Sequence, residues 1–188
     1  MGYGMAKNLL EQHEVYIIAH KNRDPIDRLL KEGAIEVYSY NDLEAGQTDV
    51  DMNYFSLEED KKYVIPVMKE ILQIVPNMKI LASPWSPPTW MKTNKSSIGG
   101  SLKPEFYEAY SKYLVKYIEH MALEGIIIDA ITVQNEPLHP HNNPSMLMLA
   151  DEQANFIKYY LGPIFETKSI KTKIRTANTI HFSASLAA

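Results

Sequence analysis

Short β-branched runs alternate along this chain with longer stretches in which apolar residues recur at helical spacing, and that alternation predicts an α/β fold. Ile127, Ile128, Asp129, Ala130, Ile131, Thr132 and Val133 make a mostly apolar run. It predicts a strand buried on both faces, as in a parallel sheet. The run stops at Gln134, Asn135, Glu136 and Pro137, because proline cannot extend a central strand. Residues 79–83 predict a second short strand. It ends in Pro84-Trp85-Ser86-Pro87-Pro88-Thr89-Trp90, a stiff loop with two indoles. Between these strands, Pro104 suits the first turn of a helix. Phe106, Tyr110, Leu114, Tyr117, Ile118 and Met121 then form one apolar stripe, and Gly125 supplies a stop. Strand, helix and strand make a βαβ unit of the usual right hand.

The flanks are less regular. Ser56, with Glu59 three residues on, predicts a capping box, and the helix that follows runs through residues 61–75 with a kink at Pro66. Beyond the loop at 139–144, residues 150–168 predict a helix interrupted at Gly162-Pro163. Residues 171–174 suggest the start of another strand, and residues 175–188 read as an irregular tail. At the amino end, residues 1–10 predict a helix, 13–20 a strand, and 25–31 a second helix closed by Gly33, the order of part of a Rossmann unit. Near Tyr38 the character changes to a polar, acid-rich loop over residues 43–53.

Composition narrows the function. With 188 residues, 45% of them hydrophobic, the chain is long enough for a domain with a real core. A net charge of −4 and the lack of a basic stripe argue against a nucleic-acid partner. The absence of cysteine excludes disulfides, thiolate catalysis and cysteine-based zinc sites. No apolar run reaches the length of a membrane span, and residues 1–10 lack the apolar core of a signal peptide.

The candidate chemistry sits where the two strands end. In a parallel sheet or barrel those ends lie side by side, so Trp85 and Glu136 would share one pocket. An indole stacks on the apolar face of a sugar ring, and a carboxyl group protonates a glycosidic oxygen. Plain readings stand beside this one: Glu136 as a residue that opens a loop, and the tryptophans as packing. His139 and His141 have the spacing of a metal-binding pair, but no third ligand is evident and the loop reading is preferred. No metal or cofactor is expected.

Two resemblances follow from these residues. Met1-Gly2-Tyr3-Gly4-Met5-Ala6-Lys7-Asn8-Leu9-Leu10 and the strand after it, through about Val37, resemble the coenzyme domain of the β-hydroxyacid dehydrogenases. Gly2 matches the third glycine of that family's phosphate-binding fingerprint, but the two earlier glycines and the strand before them are missing. A truncated Rossmann-like segment over 1–37 is the expectation, with nicotinamide binding not expected. From Tyr38 to about Ile174 the chain resembles family 30 of the glycoside hydrolases, the glucosylceramidase-like family. The likeness rests on Leu81-Ala82-Ser83-Pro84-Trp85-Ser86-Pro87-Pro88-Thr89-Trp90-Met91-Lys92-Thr93-Asn94, Gly100-Ser101-Leu102-Lys103 and Ala130-Ile131-Thr132-Val133-Gln134-Asn135-Glu136-Pro137. Tyr38-Ser39-Tyr40, Asn53-Tyr54-Phe55-Ser56-Leu57, Glu152-Gln153 and Leu161-Gly162-Pro163 extend it.

That resemblance implies a (β/α)8 barrel and retaining hydrolysis of a β-glucoside or a glucosylceramide-like glycolipid. Glu136 would match the general acid/base, Asn135 the residue that bonds the sugar's 2-hydroxyl, and Trp85 an aromatic wall of the glycone subsite. The family's nucleophile belongs to the seventh barrel strand, and no residue here matches it. Residues 38–174 are expected to form a partial barrel, about strands 3 and 4 with their helices, because a complete one takes roughly 250 residues. The expected picture is a truncated or chimeric gene product that retains a glycosidase's acid, shows little activity alone, and associates through exposed barrel edges. A carbohydrate-binding remnant using Trp85 and Asn135, and a dehydrogenase fragment, are the alternatives. Members of the family are often secreted or lysosomal, and nothing in the pattern selects a compartment.

Overall fold

The computed structural model describes residues 39–176, together with Tyr16, Ile17, Arg28, Lys31, Ile35 and Glu36. The expected helix over residues 1–10 and the tail from 177 onward lie outside the described residues, as does most of the 13–20 strand. Within the amino-terminal segment, β1 (Tyr16–Ile17) and β2 (Ile35–Glu36) pair in parallel, and Arg28 and Lys31 between them are helical.

The main unit is a parallel three-stranded sheet in the order β3 (Leu81–Ala82), β4 (Ala130–Thr132), β5 (Lys173–Arg175). The strand start expected at residues 171–174 forms as β5, which begins at Lys173 and runs on to Arg175. The tail boundary moves with it, since Arg175 pairs with Thr132 in the ladder. The hydrogen-bonded parts of β3 and β4 are shorter than their apolar runs. Ile127 precedes the ladder and is 63% exposed, and Asp129 and Ala130 are half-buried, so the run is fully buried only at Ile128 and from Ile131 to Val133.

A short helical turn at Pro104–Phe106 leads into α3 (Tyr107–Leu123), which crosses from β3 to β4. Its stripe faces inward: Tyr110, Leu114, Ile118 and Met121 are buried, while Phe106 and Tyr117 pack against the core from its margin. Gly125 ends the helix at φ +82°, a left-handed conformation that costs glycine little. Burying four such side chains contributes on the order of 6–12 kcal/mol before entropy is counted, which makes α3 and the sheet it covers the centre of the core.

The helix before β3 departs from expectation. It forms as α1 (Glu58–Lys62) and α2 (Val64–Ile74), and the break falls at Tyr63 rather than at Pro66. Pro66 sits in the first turn of α2, where its missing amide proton costs little, so the chain restarts the helix instead of bending it. The capping box is also absent: Leu57 stands at the N-cap, and Ser56 Oγ accepts only from the Glu58 amide, at 3.2 Å. After β4, α4 (Ala150–Phe156) and α5 (Gly162–Thr167) are not interrupted at Gly162-Pro163. A π turn at Ile157–Leu161 joins them and accommodates the proline within one continuous helical path.

Candidate active site

The loops that follow β3 and β4 are bonded together. The Asn135 amide donates to the Pro84 carbonyl at 2.8 Å, and Gln134 Nε2 donates to the Trp85 carbonyl at 2.7 Å. Ser83 Oγ lies 2.7 Å from Thr132 Oγ1 and donates to Asn135 Oδ1 at 3.5 Å. The loops that bear Trp85 and Asn135-Glu136 are therefore joined at the same end of the sheet. Tyr110 fixes the end of β4 from below, its hydroxyl donating to the Val133 carbonyl at 3.0 Å.

Glu136 is half-buried, and its φ of +42° lies in the left-handed region. A non-glycine residue there carries of order 1 kcal/mol of strain and is enriched at functional sites. Its carboxylate accepts a hydrogen bond from Asn142 Nδ2. Asn142 was not singled out in the sequence; it stands in a polar His-Asn-Asn string whose spacing carries no signal. Gln134 Oε1 is buried and has no hydrogen-bond partner among the described residues.

The two indoles separate into different roles. Trp85 is 47% exposed beside the strand ends. Trp90 is buried, packs edge-to-face on Phe106 with centroids 5.1 Å apart, and donates from Nε1 to Asn41 Oδ1 at 3.0 Å. Trp90 is a core residue, as the packing reading held for it, and Trp85 is the one free to meet a ligand.

A cleft of about 370 Å³ opens beside β3, lined by Ser39, Tyr40, Asp60, Ser83, Trp85 and Tyr117 among others. Trp85 is on its rim, but neither Asn135 nor Glu136 lines it. Tyr40 donates to Asp60 Oδ2 at 2.8 Å. Burial raises the Asp60 pKa, partly offset by that hydrogen bond. The same burial, with Tyr117 and Asp60 nearby, raises the Tyr40 hydroxyl well above the usual tyrosine range.

His139 and His141 make an edge-to-face ring contact at 5.7 Å and are exposed. Among the described residues no group of three histidine or carboxylate side chains is placed to hold a metal ion, and no helix is long and apolar enough to cross a membrane.

Comparison with known proteins bears on what this arrangement does. The model of the glycosyl hydrolase family 30 TIM-barrel domain matches residues 22–177, a span that takes in residues 22–37 of the segment with the dehydrogenase-like pattern. An endo-1,6-beta-D-glucanase of Neurospora crassa is 36% identical over 142 residues, covering 73% of this chain and 29% of its own length. The putative glucosylceramidase 1 of Caenorhabditis elegans is 35% identical over 143 residues, covering 71% of this chain and 27% of its own. Among solved structures, the endo-beta1,6-glucanase BT3312 superposes with a TM-score of 0.66 at 38% identity, covering 70% of this chain and 30% of that one. The chain thus spans less than a third of the length of each of these relatives.

Proposed function

Because the chain belongs to glycosyl hydrolase family 30, we propose that its strand-end site is the acid/base half of a retaining β-glucosidase centre. The observation that supports the reading is the bonding of the Pro84-Trp85 loop to Gln134-Asn135, which joins the segment bearing an exposed indole to the segment bearing a half-buried carboxyl group. In this reading Trp85 stacks on the apolar face of a glucose ring and Asn135 bonds its 2-hydroxyl. Glu136 gives its proton to the glycosidic oxygen as the bond to the anomeric carbon breaks, and later takes a proton from the water that completes the reaction. The Asn142 amide orients the carboxyl group.

A retaining centre also needs a second carboxylate about 5–5.5 Å from the first, to hold the anomeric carbon covalently between the two steps. In the resemblance the nucleophile belongs to the seventh barrel strand, and no residue of this chain is read as its counterpart. The chain by itself therefore binds the sugar and offers the proton but does not turn over. The substrate is a β-linked glucoside, with glucans of the 1,6 type and glucosylceramide-like glycolipids both within the range that the relatives' names span.

Titration of the chain with a β-1,6-linked glucose disaccharide, followed by tryptophan fluorescence, tests this reading. Binding weakened about tenfold by Trp85→Ala, through loss of the stacking face, supports it. Equal affinity in wild type and Trp85→Ala overturns it. Glu136→Gln keeps the shape of the side chain and removes only the transferable proton, so it is expected to bind the sugar as wild type does. The strand edges of β3 and β5 are free among the described residues, and association through them is expected to appear as concentration-dependent sedimentation.

A further inference from the structure

Lys92 is fully buried, at 0% exposure. Its Nζ donates to Ser86 Oγ at 2.9 Å, to the Ser97 carbonyl at 3.2 Å and to the Ser145 carbonyl at 2.6 Å. An ammonium group has three protons, and each finds one acceptor here. No carboxylate pairs with it among the described residues, so the charge is held by neutral groups alone. Burial draws its pKa down to about 7. A methionine would fill the same volume without desolvating a charge, so packing alone does not call for lysine.

Two of the three acceptors, Ser97 and Ser145, lie on segments that also bond to each other, and the bond to Ser86 ties the Trp85 loop to that pair. Ser86 adjoins Trp85, whose carbonyl receives Gln134 Nε2. Ser145 lies three residues after Asn142, which holds the Glu136 carboxylate. Ser97 lies between, and the same seam continues through the Ser145 amide to the Ser97 carbonyl at 2.8 Å, the Gly99 amide to Ser145 Oγ at 2.9 Å, and the Leu147 amide to the Gly100 carbonyl at 2.8 Å. Followed round, the bonds close a ring: Glu136, Asn142, Ser145, Lys92, Ser86, Trp85, Gln134 and back to Glu136 along the chain.

We propose that Lys92 is a positioning residue for the site: its buried ammonium clamps the loop carrying Trp85 to the loop carrying Asn142, and so fixes the indole relative to the Glu136 carboxylate. The inference rests on the glycosidase reading for the use of the site, but the clamp itself is tested without any sugar. Amide hydrogen exchange in the full chain, wild type against Lys92→Met, gives the direct readout. The expected result is exchange about tenfold faster at Gly99, Ser145, Leu147 and Asn135, with Leu114 and Ile118 in α3 unchanged, the pattern of local rather than global opening.

Acceleration spread evenly over α3 and the loops would make Lys92 an ordinary core residue and overturn the proposal. No acceleration would overturn it as well, and so would acceleration that spares Asn135, because the clamp would then not reach the strand ends. Should Lys92→Met fail to fold, Ser86→Ala removes a single acceptor. It is expected to speed exchange at Asn135 and Ser145 about threefold, and an unchanged rate there refutes the clamp. Sugar titration separates the two ideas: local loosening by Lys92→Met, together with a wild-type chain that binds no glucoside, keeps the clamp and rejects the glycosidase reading.

Discussion

Replacing Tyr110 with phenylalanine removes one oxygen and leaves everything else that residue does. The ring sits at 0% exposure between Tyr113 and Phe156, with centroids 6.1 and 5.3 Å away, and phenylalanine fills the same space. What is lost is the 3.0 Å bond to the Val133 carbonyl, on a residue that is itself fully buried. Water cannot reach that carbonyl, so the cost is that of a buried acceptor left unmade, about 1–3 kcal/mol, and a value near 2 kcal/mol is expected. For a chain of this length that corresponds to a fall in Tm of about 4–8 °C. Urea unfolding followed by far-ultraviolet circular dichroism reads the change as a lower midpoint at constant slope. Because Val133 is the last residue before Gln134-Asn135-Glu136, sugar binding should weaken in parallel. A variant within about 0.5 kcal/mol of wild type would show that the carbonyl finds another donor, and that Tyr110 does not anchor the end of β4.

Three further outcomes follow from other residues. Burial alone would raise the Asp49 pKa, but amide donors from Tyr54 and Asn53 and the Asn41 side chain outweigh it and hold the group below 3.8. Its stabilisation is thus full above that value and lost as pH falls through the lower folded pKa, and Asp49→Asn is expected to cost about 1.5–3 kcal/mol at neutral pH and to flatten the acid limb of the unfolding curve. A methyl group added at Gly100 would overlap the Asn94 amide at a φ of +65°, so Gly100→Ala should lower stability by more than about 1 kcal/mol in thermal unfolding, the opposite of a relaxed glycine site. Lys92 holds its proton less tightly folded than unfolded, with a folded pKa of about 7 against 10.5. Wild-type stability relative to Lys92→Met should therefore rise with pH between those values, by at most about 1.4 kcal/mol per pH unit, and level off on either side.

The parallel core was legible because its signals are local. Apolar runs ending at Pro84 and Pro137, a stripe from Tyr110 to Met121 and a glycine at 125 each specify an element without reference to anything distant. The same logic put the Pro84-Trp85 loop beside Gln134-Asn135, and the two are bonded because β3 and β4 are paired parallel strands. The helix break was misplaced to Pro66 because a proline tolerates the first turn of a new helix as well as it disrupts an old one. Ile127 looked like sheet core but precedes the ladder, a boundary that pairing sets and composition does not. The third strand was legible only as a start at residues 171–174, because Lys173-Ile174-Arg175 carries one apolar residue; its bounds and place are fixed by its bonds to β4. Lys92 and Asn142 gave no warning at all. A lysine among polar neighbours reads as surface, and only the fold shows that three serines close over it.

The most direct test of the acid/base account is hydrolysis of a dinitrophenyl β-glucoside by the purified, folded chain beside Glu136→Gln. That leaving group departs without a proton, so turnover asks only whether a nucleophile is present. The account predicts sugar binding without turnover in both proteins. Steady turnover through a covalent glycosyl intermediate would contradict it, since a carboxylate of this chain would then be serving as the nucleophile.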